Sequence, residues 1–138
     1  MNIIKSEKLI DVLDDFIIID VREEDFIGGN IVNAINIPYS NFNINSLNKI
    51  IENRDKKFIV VHCMYCSLRG PGSYYKINKF LKENNKSEKL YLLKDGFYNF
   101  INFCIKNNNL EYIENYNSEY WILDKKNYCH KSEIFTNQ

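Results

Sequence analysis

Apolar positions follow two patterns along the chain, and together they predict a layered domain. Continuous apolar runs are typical of strands buried on both faces of a parallel sheet, and they occupy 16–19, 58–61 and 90–93. Apolar residues spaced three or four positions apart are typical of helices with one buried face, and they occupy 9–13, 44–51, 74–81 and 97–105.

Shorter segments complete this pattern. Residues 3–4 and 34–37 predict two further strands, the second closed by Pro38, and Ser6 is predicted to cap the first helix. Because strands and helices alternate, the sequence predicts the α/β class. The expected architecture is a central, mainly parallel five-stranded sheet flanked by helices, with right-handed crossovers.

The composition limits the cellular setting more than the chemistry. The 138 residues suit one domain with its own core, and 18 basic residues balance 18 acidic ones. No overall field therefore favours nucleic acid or a membrane surface. We expect no signal peptide and no transmembrane helix, since the apolar runs are short. Four cysteines in such a chain indicate reduced thiols. The predicted location is the cytoplasm, with the nucleus as an additional location.

The character of the chain changes near residue 107, where three consecutive asparagines follow the last predicted helix. We predict a main domain over 1–106 and an aromatic- and Asn-rich extension over 107–138. Large aromatic side chains are usually buried, so the extension is expected to pack on the domain. The alternative is that it forms a surface for a substrate or partner.

The most informative stretch lies between the strand at 58–61 and a helix predicted over roughly 70–84. Cys63 starts this loop and Arg69 ends it, with five residues between them. Such a loop can direct successive backbone N–H groups at one point, and the helix N-terminus adds partial positive charge. Arg69 supplies a planar fork for two oxygens, and the same field favours a thiolate at Cys63. The loop therefore predicts a nucleophile inside an oxyanion cradle, whose remaining residues are Met64, Tyr65, Cys66, Ser67 and Leu68.

Two residues outside the loop are predicted to support it. His62 precedes the nucleophile and is expected to orient the loop by hydrogen bonding, the alternative being that it lowers the pKa of the thiol. Asp20 ends a strand that should run beside the loop strand, so it lies near the site and is expected to bond Arg22 or backbone N–H groups.

Within the loop, Ser67 either donates a hydrogen bond to the thiolate or has no role in the chemistry.

The sequence assigns no proton donor. Glu23, Glu24 and Asp25 are interpreted as a solvated acidic surface. A general acid must reach the leaving oxygen, and the pattern places none of these carboxylates there.

Cys66 has three interpretations. As a resolving thiol, it would form a disulfide with oxidised Cys63. As a metal ligand, it would act with Cys63, Cys129 and His130, but the adjacent pair 129–130 fits zinc spacing poorly, and a metal on Cys63 would block the chemistry. We therefore expect no metal. The third interpretation is an inert loop residue.

Four motifs carry a family resemblance. Asp20-Val21-Arg22 resembles an Asp-x-Arg after a second strand, and residues 26–38 resemble Gly-His-Ile-x-Gly-Ala-x-Asn-Ile-Pro. Residues 62–71 resemble His-Cys-x-x-x-x-x-Arg-Gly-Pro, and residues 92–97 resemble Leu-x-Gly-Gly-Phe. Over 3–106 the chain thus resembles the rhodanese superfamily, in the branch of the cell-division-cycle dual-specificity phosphatases and eukaryotic arsenate reductases. The resemblance implies a rhodanese-like fold and a catalytic domain over 1–106.

The loop separates branches of that superfamily. Sulfur-transferring rhodaneses resemble this fold but have a loop one residue shorter, so the resemblance favours a tetrahedral oxyanion as substrate. Asn30 and Asn33 stand where His and Gly are usual, and Asp95 replaces the first glycine of the last motif. Met64 and Leu68 hold positions that are typically acidic in the cell-cycle phosphatases, so the loop supplies no carboxylate as proton donor.

The predicted function is a cysteine-dependent protein phosphatase, specific for phosphotyrosine or of dual specificity, acting through a phospho-cysteine intermediate. It requires no metal or organic cofactor. One alternative is an arsenate reductase that uses the same loop with an external thiol such as glutathione, together with glutaredoxin. Another is a non-catalytic binding module. The expected partners are a phosphoprotein or a small oxyanion, not nucleic acid or a membrane.

Overall fold

The computed structural model describes residues 1–122, in which helices separate most of the strands of the central sheet. The strands are β1 (Ile3–Ile4), β2 (Phe16–Asp20), β3 (Asn30–Ile31), β4 (Ile35–Asn36), β5 (Phe58–His62), β6 (Lys89–Leu93) and β7 (Ile113–Glu114). The α-helices are α1 (Ser6–Val12), α2 (Ile44–Glu52), α3 (Arg69–Glu83), α4 (Gly96–Lys106) and α5 (Ser118–Ile122). Short 3₁₀ turns lie at Leu13–Asp15, Tyr39–Asn41 and Leu110–Tyr112.

The central sheet has five strands in the order β1-β6-β5-β2-β4, and every pairing is parallel. The predicted five-stranded sheet flanked by helices is therefore confirmed. In the middle of the sheet β2 lies beside β5, with Asp20 opposite His62. Because parallel strands end at one edge, the segments after β2 and β5 meet there.

Each central strand is buried on both faces, as its continuous apolar run predicts. Successive side chains point to opposite faces of a sheet. Ile17 and Ile19 of β2 join the apolar cluster formed with α2 and α3, whereas Ile18 and Val60 join the cluster formed with α1 and α4. The amphipathic patterns predicted for the helices correspond to these two helical layers.

The predicted cap of the first helix is wrong. Lys5, in an extended conformation, precedes the helix, and Ser6 is already its first residue. The Ser6 hydroxyl instead donates to the side-chain oxygen of Asn99 at 2.8 Å. Ser6 thus ties α1 to α4 on the same face of the sheet, a tertiary role that a local capping pattern does not reveal.

The segment after α4 returns to the domain. β7 pairs antiparallel with β3, with Ile31 opposite Ile113, and this second, two-stranded sheet was not anticipated because two residues carry no periodicity. Trp121 is buried, and its indole N–H donates to the Gly28 carbonyl at 2.7 Å. The second half of the predicted extension, residues 123–138, lies outside the described residues, so its packing as a whole stays a prediction. Within residues 1–122 no helix has the length and apolar character needed to cross a bilayer.

Candidate active site

The loop between β5 and α3 sits at the carboxyl edge of the sheet and is held by the start of α4. The backbone N–H of Phe97 donates to the Cys63 carbonyl at 3.0 Å, and that of Tyr98 donates to the Met64 carbonyl at 2.9 Å. Gly96 has a φ of +66°, and a Cβ there would overlap both carbonyl oxygens. Glycine at this position therefore lets the α4 N-terminus approach the loop closely.

The sulfur of Cys63 lies at the point where the loop N–H groups converge. It accepts from the backbone N–H of Cys66 at 3.0 Å and from that of Gly70 at 3.1 Å. Gly70 belongs to the first turn of α3, whose N-terminus carries partial positive charge. Cys63 itself is fully buried. The predicted cradle thus has a sulfur at its centre.

The environment of Cys63 favours a thiolate. Burial alone would raise its pKa, but the Cys66 thiol, the positive charge of Arg69 and the two backbone donors outweigh burial and lower the pKa from 9.0 to about 7. A substantial thiolate fraction therefore exists near neutral pH, and the thiolate is the nucleophilic form of cysteine.

Cys66 lies directly against Cys63. Its φ is +59°, a left-handed conformation that turns the loop back, and its sulfur accepts from the Cys63 N–H at 3.4 Å. The two thiol groups also hydrogen-bond each other. Burial and the neighbouring Cys63 sulfur raise the pKa of Cys66 well above its usual range. Of the two sulfurs, Cys63 is therefore the thiolate and Cys66 keeps its proton.

Arg69 is held by a carboxylate, that of Asp25. Asp25, interpreted as solvated acidic surface, is buried and binds the guanidinium through both oxygens at 2.8 and 2.5 Å. Burial opposes ionisation of Asp25, yet the hydrogen bonds from Arg69 lower its pKa. Glu23 also approaches Arg69, at 3.8 Å, whereas Glu24 is exposed as predicted. The interpretation of Asp25 as a solvated residue is wrong.

The position of Asp25 in the sequence could have indicated its role. Asp25 follows β2 by five residues, and β2 lies beside β5, so the loops after β2 and β5 lie at the same edge of the sheet. The charge pattern by itself shows only three consecutive acidic residues, at 23–25. Which acid turns inward depends on tertiary packing.

Beneath Asp25 lies a buried ion pair. Asp20 binds Arg22 through both oxygens, as predicted, with an Nη2–Oδ2 distance of 2.8 Å, and both side chains are fully buried. Arg22 also donates to the carbonyls of Asp25 and Gly29. Its guanidinium lies 4.1 Å from the centre of the Phe97 ring. Because Arg22 bonds both Asp20 and these two carbonyls, this buried charge stabilises the turn that carries Asp25.

His62 lies between this ion pair and the nucleophile. Its Nδ1 is 3.0 Å from the Cys63 carbonyl oxygen, and its Nε2 is 3.7 Å from Asp20 Oδ2. Burial outweighs Asp20 and lowers the pKa of His62, which keeps the ring neutral near pH 7. A neutral ring that contacts the Cys63 carbonyl is suited to the predicted orienting role.

The remaining loop residues divide between core and surface. Met64 is fully buried, Tyr65 is half-buried with its ring 5.1 Å from that of Tyr98, and Ser67 and Leu68 are exposed. The structure therefore brings Cys63, Cys66 and Arg69 together.

Within residues 1–122, no cluster of three or more His, Cys, Asp or Glu side chains could hold a metal. Cys129 and His130, weighed as metal ligands, lie outside the described residues.

Comparison with known proteins gives matches at the levels of family, sequence and structure. The profile of the rhodanese-like domain family matches residues 5–103. Arsenical-resistance protein 2 of Saccharomyces cerevisiae is 29% identical in an alignment of 104 positions that covers 68% of this chain and 80% of the yeast protein. The As-Sb reductase structure from Leishmania major has a TM-score of 0.73 at 24% identity, covering 81% of this chain and 83% of its own. The structure of a yeast protein tyrosine phosphatase of the rhodanese family also has a TM-score of 0.73, at 19% identity. The match covers 87% of this chain and 96% of the yeast chain.

Proposed function

This chain belongs to the rhodanese-like family, and we propose that within it the protein is a cysteine-dependent phosphatase acting on phosphotyrosine or mixed-specificity phosphoproteins. The observation that carries the proposal is the Cys63 sulfur, which sits among the N–H groups of Cys66 and Gly70 with Arg69 across the loop. Such a cradle binds a tetrahedral dianion and presents a nucleophile to its centre.

The reaction follows from this geometry. The Cys63 thiolate attacks phosphorus in line, the bond to the leaving oxygen breaks, and a phospho-cysteine forms. Arg69, oriented by Asp25, and the loop N–H groups stabilise the equatorial oxygens in the transition state. Water then attacks phosphorus and returns the thiolate. No metal or organic cofactor takes part in any of these steps.

The absence of a loop carboxylate favours aryl phosphates. Met64 and Leu68 are apolar, and the oxygens of Asp25 are engaged with Arg69. A phenol, with a pKa of about 10, leaves with little protonation, whereas an alkyl alcohol depends more on a general acid. The half-buried ring of Tyr65, paired with Tyr98, gives the loop an aromatic border against which a phosphotyrosine ring can pack.

Replacing the nucleophile tests the proposal. We expect Cys63→Ser to lower hydrolysis of p-nitrophenyl phosphate by at least about 10³-fold, since removing a catalytic nucleophile typically costs this much or more. Cys104→Ala is the matched control, because Cys104 is also buried but has its pKa raised to about 12 by burial and Glu111. Wild-type turnover in Cys63→Ser contradicts the mechanism. Phosphopeptide binding without hydrolysis by wild-type protein indicates a non-catalytic binding module instead.

A second candidate function is arsenate reduction. Two observations favour it: the relative named for arsenical resistance, and a second thiol, Cys66, against the nucleophile. Arsenate has the shape and charge of phosphate, so the same cradle accepts it. Cys63 would form a thiol–arsenate adduct, and a thiol would then release arsenite. Arsenite production from arsenate in the presence of glutathione and glutaredoxin, measured beside p-nitrophenyl phosphate hydrolysis, distinguishes the two functions.

A further inference from the structure

The sulfurs of Cys63 and Cys66 both lie next to the Cα of Gly70. A Cβ at Gly70 would lie 3.3 Å from the Cys63 sulfur and 2.9 Å from the Cys66 sulfur, so both sulfurs contact the same glycine. Each cysteine N–H points at the sulfur of the other, at 3.0 and 3.4 Å. This reciprocal arrangement brings the thiols within hydrogen-bonding contact without any movement of the loop.

We propose that Cys66 is an internal reductant: it attacks the Cys63–arsenate adduct, releases arsenite and leaves a Cys63–Cys66 disulfide. The proposal rests on the second candidate function, arsenate reduction. It differs from reduction by an external thiol because both electrons of the first turnover come from this chain.

The electrons and atoms balance within the loop. In the first step the Cys63 thiolate bonds to arsenic, and one oxygen leaves as water after taking up protons. In the second step the Cys66 sulfur attacks the Cys63 sulfur, and its proton passes to a departing arsenite oxygen. The S–As bond breaks with its electron pair remaining on arsenic. Arsenic passes from As(V) to As(III), and two thiols become one disulfide.

The order of the two sulfurs follows from their surroundings. Cys63 receives N–H donors from Cys66 and Gly70 and lies in the field of Arg69, so it is the sulfur that attacks the oxyanion first. Cys66 keeps its proton partly because the Cys63 thiolate is beside it. Once Cys63 is bonded to arsenic, that thiolate no longer exists. Cys66 then becomes easier to deprotonate at the stage when it must attack.

Access to the two sulfurs also differs. Cys63 is fully buried, whereas Cys66 is only half-buried and lies in the exposed part of the loop next to Ser67. A disulfide between them can therefore be attacked by an external dithiol at Cys66, which leaves Cys63 as the thiolate. Cys104 cannot take this role, because it packs in the core on the α1–α4 face, whereas Cys63 belongs to the opposite cluster.

The test is a single turnover without any external thiol. Reduced full-length protein, freed of reductant under anaerobic conditions, is mixed with excess arsenate, and arsenite is quantified by chromatography with mass detection. We expect about one arsenite per chain, and peptide mapping should locate the disulfide at Cys63–Cys66. Dithiothreitol should then restore both thiols and permit another turnover.

Cys66→Ser is the informative variant. Without thiol its arsenite yield should fall at least about 10-fold, whereas excess glutathione should restore release from the adduct on Cys63. Cys104→Ala and Cys129→Ser are matched thiol-removal controls that should behave as wild type. If Cys66→Ser does not fold, peptide mapping of the disulfide in the wild-type protein tests the proposal by itself.

The remaining outcomes separate this proposal from the function on which it rests. Arsenite from wild type only when glutathione is present overturns the internal reductant and leaves arsenate reduction intact. No arsenite under either condition overturns both. Equal thiol-free yields from wild type and Cys66→Ser, or a disulfide that maps to Cys104 or Cys129, also overturn the role of Cys66.

Discussion

Two loops at one edge of the sheet build the candidate site in different ways. The nucleophile loop (residues 63–68) follows β5 and is organised by its own backbone: N–H groups of neighbouring residues point at the Cys63 sulfur. The acidic loop (residues 21–29) follows β2 and acts through side chains, with Asp25 reaching Arg69 across 44 positions of sequence. The nucleophile loop therefore supplies the reacting sulfur, and the acidic loop orients the guanidinium of Arg69, the residue that follows the nucleophile loop.

The two loops also differ in what holds them in place. The nucleophile loop is supported from α4, through the N–H groups of Phe97 and Tyr98. The acidic loop is supported from within by the buried Asp20–Arg22 pair, and from outside by Trp121, which donates to Gly28. Damage to the nucleophile loop should therefore affect activity most, and damage to the outer support of the acidic loop should affect it least.

The largest effect is expected at Arg69, where charge and shape can be separated. Arg69→Lys keeps a positive charge but loses the planar fork, and we expect kcat/KM for p-nitrophenyl phosphate to fall by about 10²–10³-fold. Iodoacetamide alkylation of Cys63 measures the pKa of its thiol. That pKa should stay close to its wild-type value of about 7 in Arg69→Lys and rise in Arg69→Ala, because the Arg69 charge helps to lower it. Unchanged kcat/KM in Arg69→Lys would show that the fork is not used.

A smaller effect is expected when the acidic loop loses its carboxylate. Asp25→Asn should lower kcat/KM by about 10-fold, since Arg69 loses the two-point contact that orients it. Asp25→Glu is the matched control and should recover part of that loss. Recovery would not be expected if Asp25 contributed only to general stability.

The same substitution makes a prediction about pH. The pKa of Asp25 is lowered in the folded protein, so its ion pair stabilises fully above the ordinary value of 3.8 and loses this effect as pH falls through the lower folded value. Urea unfolding at pH 7 should show Asp25→Asn less stable by about 3 kcal/mol, with the difference shrinking below pH 4. A difference that grows on acidification would contradict the ion pair.

The smallest effect is expected at the outer support. Trp121→Phe keeps the aromatic packing against Phe97 but removes the N–H that donates to Gly28. The Asn117 N–H still donates to the same carbonyl, so we expect a loss of about 1 kcal/mol in unfolding free energy and less than about 3-fold in kcat/KM. If Trp121→Phe lowered kcat/KM more than Asp25→Asn, the acidic loop would depend on the C-terminal segment rather than on its own ion pair.

Most of the fold was predictable because it rests on short-range patterns. The runs at 16–19, 58–61 and 90–93 are buried on both faces of a parallel sheet, and the helical stripe at 97–105 lies within α4. The family resemblance drawn from motifs is confirmed by the match over residues 5–103. Features that depend on distant partners were predicted wrongly or not at all: Ser6 bonds Asn99 rather than capping its own helix, and the pairing of β3 with β7, more than 80 residues away, was not predicted.

For the site itself, the sequence alone determined the spacing of Cys63 and Arg69 and the strand–loop–helix setting that surrounds them. Those features are local, since five residues between a strand and a helix leave the backbone few ways to turn. Only the tertiary structure decided that Asp25 rather than Glu24 turns inward, and that Cys66 contacts Cys63. A carboxylate is buried only where a partner charge compensates its desolvation, and that partner is supplied by the packing of β2 against β5.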